Sequence, residues 1–308
     1  MSIIGPNLQQ SIRKKNPVLL FIKENGAGYL LCAPLLLSII IFVLYPMFQM
    51  VLYSFQVTNG ISGRFNGIAN YRWIFNDRLF RSAIFNTGRM AVLAIILNTT
   101  VCFVIASLIN NLNRGKGIFK SLYFLPNVVS AVAVAMLFNY LLYASPSGIV
   151  NRFLGWFGVA PIGWLVSPSL APFSMVMMGL WRSMGYDTIL FLAGLQSIPR
   201  EIYEAAEVDG AGGIRKWFSI TIPSMRPVFV FVIMMLTISQ MRRFEDIYMV
   251  GGVGGNPGGA LSTVVLYVYR AAMISRDVGL GSAAAVVLFI IILALTMLNN
   301  RVLNRKGE

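Results

Sequence analysis

The most chemically loaded stretch of this sequence is an acidic, glycine-broken segment, EIYEAAEVDGAGGIRKWFSITIP, at positions 201–223. Four of the chain's eleven acidic residues, Glu201, Glu204, Glu207 and Asp209, lie within its first nine positions. Such a cluster could serve acid–base chemistry or a metal ion, but the chain has no histidine and its two cysteines lie in apolar runs. We therefore predict no metal site and no Ser-His-Asp catalysis.

A second set of polar residues interrupts the apolar runs of the chain. Polar side chains inside a membrane are costly, so they mark transport paths or hydrogen-bond neighbouring helices. The candidate solute-path residues, polar or aromatic and within or beside these runs, are Asn86, Tyr140, Trp181, Tyr186, Asp187, Gln240, Arg242, Arg243 and Glu245. For each of them the alternative is a hydrogen bond between helices.

The elements that must position these residues are long apolar segments. Of the 308 residues, 57% are hydrophobic and 12% are charged, about half the charged share of a soluble domain. Six segments approach or exceed the ~20 residues of a membrane-spanning helix: 28–55, 90–113, 121–151, 170–195, 227–250 and 278–300. Charges interrupt the fourth and the fifth. The sequence predicts an all-α, polytopic membrane protein with six transmembrane helices.

The placement of Lys and Arg predicts the orientation. With both termini inside, the cytoplasmic pieces hold fourteen Lys and Arg and the outer pieces seven, as expected when basic residues favour the cytoplasmic side. The first outer loop is a mild exception, with Arg64, Arg72, Arg78 and Arg81. No basic stripe interleaved with aromatics appears, so the net charge of +14 does not predict nucleic-acid binding.

This topology divides the chain into a cytoplasmic N-terminal segment at 1–27, a six-span membrane domain at 28–300 and a cytoplasmic tail at 301–308. It places the acidic segment on the cytoplasmic side, where Pro199 starts a short helix and three glycines end it. Ile214, Trp217 and Phe218 then have the spacing of a second short helix, which ends at Pro223. The segment could dock on another surface or pack on its own membrane domain.

The stretch EAAEVDGAGGIRKWFSITIP resembles the EAA signature of inner-membrane permease subunits of binding-protein-dependent ABC importers. The match is at Glu204, Ala205, Ala206, Gly210, Ile220 and Pro223, and Ile222 stands where the pattern has leucine. SLYFLPNVVSAVAVAMLFNYLL, GYDTILFLAGLQSIPREIYEAA and GLGSAAAVVLFIIILAL resemble the carbohydrate branch of that family. The resemblance extends over roughly 28–305.

The resemblance implies a type I ABC importer permease fold in which the loop at 199–223 is a coupling helix seated in a cytoplasmic ATPase dimer. It implies a second, different permease subunit, an extracellular or periplasmic solute-binding protein and a carbohydrate substrate in a bacterial or archaeal cytoplasmic membrane. ATP and Mg²⁺ would bind the ATPase, and this chain, which has no phosphate-binding loop, would bind no cofactor and catalyse no reaction. The coupling residues it implies are Glu204, Ala205, Ala206, Asp209, Gly210, Ile220 and Pro223.

Two questions stay open on the sequence alone. One is the charge of the sugar: Arg242 and Arg243 could bind an acidic oligosaccharide, or Glu245 and Asp246 could neutralise them, or the arginines could extend outward to water. The other is the segment at 261–274, which is short enough to be interfacial or re-entrant. The alternatives to an importer subunit are a stand-alone secondary carrier or channel and a membrane-embedded glycan or lipid transferase.

Overall fold

The computed structural model describes residues 30–112 and 116–304. The predicted N-terminal segment, 1–27, and the last four residues of the predicted tail, 305–308, lie outside the described residues. The chain divides into two units at Leu52 and Tyr53. Helix α1, Leu30–Ser54, supplies the described part of the first unit up to Leu52, and its most apolar stretch has a mean hydropathy of 2.5 with no buried residue. It contains one π-helical stretch, Ile40–Leu44.

The second unit is helical apart from one small hairpin. Its elements in chain order are β1 (Gln56–Thr58), β2 (Gly63–Phe65), α2 (Ala69–Asn76), α3 (Arg78–Asn110), α4 (Lys116–Val128), α5 (Ala131–Leu141), α6 (Ile149–Gly155), α7 (Ala171–Gln196), α8 (Arg200–Val208), α9 (Gly213–Ser224), α10 (Arg226–Met241), α11 (Glu245–Gly251), α12 (Val264–Ile274) and α13 (Val278–Asn304).

The hairpin is a minor departure from the all-α prediction. β1 and β2 pair antiparallel with Gln56 opposite Phe65. Between them, the Thr58 hydroxyl donates to the Ser62 carbonyl at 2.8 Å, and Gly60 has a φ of 93°. The Asn-Gly pair at 59–60 is a local signal for a hairpin turn, which a count of apolar residues does not detect.

Three described helices are long and apolar enough to cross a membrane: α1, α3 and α13. A fourth is possible if α9 and α10, which meet at a bend of 63°, count as one broken span. The predicted third span is divided into α4 and α5, because Pro126 removes a donor near the end of α4 and Ser130 caps the start of α5. The six-span count is therefore not confirmed, although the helical fold is.

Helices α3 and α7 form the centre of the second unit. Asp77 caps the start of α3 by accepting a hydrogen bond from the Leu79 N–H at 2.9 Å. α4 packs closely on α7 at Gly185, where a Cβ would lie only 2.1 Å from the carbonyl oxygen of Tyr123. A larger residue at this position would push the two helices apart.

The segment at 261–274 contains α12, which buries Val264, Tyr267 and Ala271 on one side and Leu266 in a different apolar cluster. At 11 residues it is about 16 Å long, too short to cross a membrane. It belongs to an apolar cluster shared with α3 and α13.

Candidate coupling loop and candidate solute cleft

The loop at 199–223 forms two short helices, as predicted. α8 starts after Pro199, and Glu201 lies in its first turn, where a negative charge is favourable. Four large apolar side chains of the loop are exposed rather than buried: Ile202, Val208, Ile214 and Phe218, with exposed fractions from 44 to 89%. In a loop outside the membrane, such a surface indicates contact with another protein.

The predicted coupling residues mostly lie on the accessible side of this loop. Gly210 has a φ of 73°, and a Cβ there would meet no atom within 4 Å. The requirement for glycine is therefore conformational, because within this chain there is room for a side chain. Of the remaining residues, Glu204, Ala205, Asp209 and Pro223 are exposed, and Ala206 and Ile220 are half-buried.

The two helices of the loop are tied to each other by polar contacts. The Lys216 Nζ lies 2.6 Å from the Glu207 Oε1, and the hydroxyls of Tyr203 and Thr221 are 2.9 Å apart. A polar cavity of about 720 Å³ lies between the loop and the nearby ends of α3 and α7.

Trp217 attaches the loop to the membrane helices. Its ring stacks on Phe103 of α3, with centroids 5.3 Å apart and an interplanar angle of 25°, and its Nε1 donates to the Ser107 Oγ at 3.3 Å. Phe103 in turn contacts Phe191 of α7 at 5.5 Å and Phe229 of α10 at 4.8 Å. These four rings, called the aromatic cluster below, join the loop to three helices.

Six of the nine predicted solute-path residues line one cleft of about 450 Å³ between α7, α10 and α11. They are Tyr186, Asp187, Gln240, Arg242, Arg243 and Glu245. The cleft, called the α7–α10 cleft below, is also lined by Arg182, Ser183, Ser239 and Asp246. The two serines are not among the predicted path residues, although Ser183 lies in the same segment as Tyr186 and Asp187, and Ser239 directly precedes Gln240.

The structure does not place the other three predicted residues on this cleft. Asn86 is buried, and its Nδ2 donates to the carbonyls of Gly259 and Ser262 at 3.0 and 3.2 Å, so it holds the segment before α12 on α3. Trp181 contacts the Phe138 ring, with centroids 5.6 Å apart. Tyr140 is 70% exposed near the end of α5.

Asp187 is the most unusual group of the cleft. Its side chain is 5% exposed, and its Oδ2 has no hydrogen-bond partner among the described residues. A buried carboxylate oxygen without a donor is costly, so a donor from outside the described residues would stabilise it. One turn before it on α7, the Ser183 hydroxyl donates to the Asn98 Oδ1 at 2.8 Å.

Comparison with known proteins agrees with this geometry. Residues 101–307 match the family described as the binding-protein-dependent transport system inner membrane component. The chain is 32% identical over 292 residues to the arabinooligosaccharides transport system permease protein AraP of Halalkalibacterium halodurans, covering 94% of this chain and 92% of that protein. It is 31% identical over 277 residues to the trehalose/maltose transport system permease protein MalF of Thermococcus litoralis, covering 89% and 92%.

The chain belongs to this permease family. A chain of the bacterial alginate ABC transporter, crystallised with a periplasmic protein that holds an alginate pentasaccharide, superposes with a TM-score of 0.82. That alignment covers 93% of this chain and 97% of the other at 23% identity, and it shows the type I ABC permease fold. Family membership sets aside the alternatives of a stand-alone carrier and a transferase.

The permease neutralises one of the two arginines that suggested an acidic solute. The Nη2 of Arg243 contacts the Asp246 Oδ2 at 2.5 Å and the Met175 carbonyl at 2.5 Å, and its Nε lies 2.7 Å from the same carboxylate. Gly179 leaves room for the guanidinium, because a Cβ there would lie 3.0 Å from Nη1. Arg242 is exposed and has no carboxylate within 4 Å in the described part of the chain.

No group of three or more histidine, cysteine or acidic side chains gathers as a metal site within residues 30–112 and 116–304. The prediction that ATP and Mg²⁺ bind a separate subunit remains a prediction.

Proposed function

We propose that this chain is a permease subunit of an ATP-driven oligosaccharide importer and that the α7–α10 cleft is part of its solute path. The observation that carries the proposal is Asp187, a buried carboxylate that lines the cleft and whose Oδ2 has no donor. A sugar hydroxyl would supply that donor. The names of the relatives, an arabinooligosaccharide permease and a trehalose and maltose permease, support a carbohydrate as the solute.

The side chains that line the cleft offer different kinds of contact to a sugar. Tyr186 is 43% exposed and offers a flat face for the apolar side of a sugar ring. Gln240 and Ser239 supply neutral donors and acceptors. The three arginines and three acids that line the cleft balance in charge, which favours a neutral solute. Because Arg243 is paired with Asp246, an acidic oligosaccharide would have to bind Arg182 or Arg242.

For coupling, we propose that the exposed apolar side of the 199–223 loop seats on a cytoplasmic ATPase dimer, which binds ATP and Mg²⁺. Movement of the loop would reach α3, α7 and α10 through the aromatic cluster, since Trp217 contacts the first of these helices directly. Glu204, Ala205, Ala206, Asp209, Gly210, Ile220 and Pro223 are the proposed coupling residues. The permease domain would have six spans, with both termini cytoplasmic.

The remaining partners follow from the same proposal. A second, different permease subunit would complete the path, because a cleft between helices of one subunit opens toward a neighbour. A solute-binding protein on the outer side would deliver the sugar. The membrane is the cytoplasmic membrane of a bacterium or an archaeon.

The test is uptake by the full importer reconstituted in vesicles with its ATPase and its solute-binding protein. Asp187→Asn should raise the solute concentration needed for half-maximal uptake, because the amide nitrogen that replaces one carboxylate oxygen cannot accept a hydrogen bond. The ATPase should stay bound. The matched control is Asp277→Asn. The Asp277 Oδ1 only accepts the Leu280 N–H at 2.9 Å, and asparagine replaces it as a cap. Equal uptake by both variants would remove the cleft from the solute path.

A further inference from the structure

The end of α3 that lies away from the coupling loop carries an arginine-rich face that the transport mechanism does not use. Residues with exposed side chains recur every three or four positions along the whole helix: Arg78, Arg81, Phe85, Arg89, Val92, Ile96, Thr100, Val104 and Leu108. This single face changes along its length, because it is basic and aromatic up to Arg89 and mainly apolar from Val92 onward. We call the first part, Arg78 to Arg89, the basic face.

The length of α3 places the change at the membrane boundary. The helix has 33 residues and is about 50 Å long, whereas the hydrocarbon core is about 30 Å thick. About 20 residues counted back from Asn110 end near residue 90. Arg89 therefore lies at the boundary, Phe85 about 6 Å beyond it and Arg81 about 12 Å beyond it. The headgroup layer, which is roughly 5–8 Å deep, is at the level of Arg89 and Phe85.

The arginines of this face form no ion pair with another described residue. Among the described residues the ion pairs within 4 Å are Lys216–Glu207 and Arg243–Asp246. The guanidinium of Arg89 lies over the Phe85 ring at 6.0 Å, so it points toward the headgroups and away from the hydrocarbon. Side chains in a helix lean toward its N-terminus, which here is the same direction.

We propose that Arg89, at the membrane end of the basic face, binds the phosphate groups of anionic lipids in the leaflet opposite the coupling loop, and that the arginines beyond the headgroup layer only add to the attraction. The inference rests on the proposed function only for the orientation of the chain: if the loop at 199–223 is cytoplasmic, this leaflet is the outer one. Three features favour lipid over a protein partner. The face continues without a break into an apolar stripe. Its arginines have no carboxylate within 4 Å among the described residues. Its exposed aromatic residue, Phe85, lies at headgroup depth, where aromatic rings are enriched. Lipid binding would also explain why the first outer loop, which includes Arg78 and Arg81, is rich in arginine although basic residues otherwise favour the cytoplasmic side.

The test uses tryptophan fluorescence in the full importer, embedded in phosphatidylcholine nanodiscs that contain a fraction of brominated lipid. Phe85→Trp places a reporter on the face, and its signal is the difference from the unsubstituted importer. We expect brominated phosphatidylglycerol to quench the reporter several-fold more effectively than brominated phosphatidylcholine at equal mole fraction. Raising the salt concentration should shrink this preference, since exposed charges are screened over about 10 Å at 0.1 M.

Variants made in the Phe85→Trp background should show a gradient with depth. Arg89→Gln should lower the preference roughly fivefold, the effect of one arginine at an anionic surface, and Arg81→Gln should lower it less because it lies beyond the headgroups. Arg89→Lys should restore the preference, and Arg152→Gln, an exposed arginine outside α3, should not change it.

Two results would overturn the proposal. Equal quenching by the two lipids would show that the face does not select anionic headgroups, and absence of quenching by either lipid in the assembled importer would show that a protein subunit covers it. Uptake of sugar by the same importer is measured separately. Normal uptake without lipid preference would refute only this inference, whereas failure of uptake in every lipid would count against the proposed function.

Discussion

Trp217 offers the sharpest test of how the loop moves the membrane helices. It is the loop residue that joins the aromatic cluster, through its stack on Phe103 and its hydrogen bond to Ser107. Trp217→Ala removes both contacts and also an edge contact with the Phe218 ring at 4.9 Å, but it leaves Ile202, Val208 and Ile214 unchanged. We expect the ATPase to remain bound while transport is impaired, because most of the proposed docking surface does not contact Trp217.

The size of the effect can be worked out from the two contacts. A stacked aromatic pair contributes about 1 kcal/mol beyond the area it buries, and a neutral hydrogen bond contributes about 1 kcal/mol. If both act only when loop and helices move together, their loss weakens the coupling by about 2 kcal/mol, which is roughly 25- to 30-fold in an equilibrium. Trp217→Phe retains a ring on Phe103 and loses the hydrogen bond, so roughly a fivefold loss is expected.

The assay compares two rates in the reconstituted importer: sugar uptake and ATP hydrolysis stimulated by the sugar-loaded binding protein. Trp217→Ala should lower uptake more than tenfold and lower the stimulation of hydrolysis, with an unchanged ratio of ATPase to permease after purification. Trp156→Ala is the matched control, because Trp156 is 76% exposed and its ring contact is with Phe153, outside the aromatic cluster. Wild-type uptake in Trp217→Ala, or loss of the ATPase from it, would refute the reasoning.

Three further predictions concern the loop, the topology and the cleft. Gly210→Val should abolish uptake and Gly210→Asn should retain part of it, because φ is 73° and a β-branched residue there is strained by about 1–2 kcal/mol or more; equal uptake by the two would show that φ does not matter. In a cysteine-free background, an impermeant thiol reagent applied to intact cells should label a cysteine placed at Gly155 but not one placed at Gly212, and labelling at Gly212 would invert the orientation. Arg242→Gln should impair uptake of an acidic oligosaccharide more than that of a neutral one, and a wild-type importer that takes up only neutral sugars would end the acidic-solute hypothesis.

The local elements could be predicted from sequence where one chemical signal dominated. The apolar segment at 170–195 corresponds to α7, Ala171–Gln196, despite its two charges. The predicted second span, 90–113, begins too late in the chain, because the corresponding helix α3 begins at Arg78. Counting uncharged residues finds where a helix enters hydrocarbon, whereas a helix continues through charges for as long as its backbone hydrogen bonds and cap allow.

The cleft and the aromatic cluster depend on which helices are neighbours, and a single sequence does not contain that information. The Nη2 of Arg243 donates to the carbonyl of Met175, 68 positions earlier in the chain. Asp246, three positions away on the same side, could be proposed as its partner from spacing alone. The same limit explains why six solute-path residues converge while Asn86, Tyr140 and Trp181 do not: depth in the membrane can be counted, but the direction in which a helix turns a side chain depends on its packing.

The packing brings the two proposed sites close together on one helix. Asp187 of the α7–α10 cleft and Phe191 of the aromatic cluster are four residues apart on α7, which is about one turn, or 6 Å along the axis. Gly185 fixes the same stretch of α7 against α4. Because α7 runs as one continuous helix through both sites, a displacement of the helix at Phe191 would also move Asp187. One connection between the loop and the cleft is therefore Trp217, Phe103, Phe191 and Asp187, and a cycle that combines Trp217→Phe with Asp187→Asn should show non-additive losses of uptake if the connection is used.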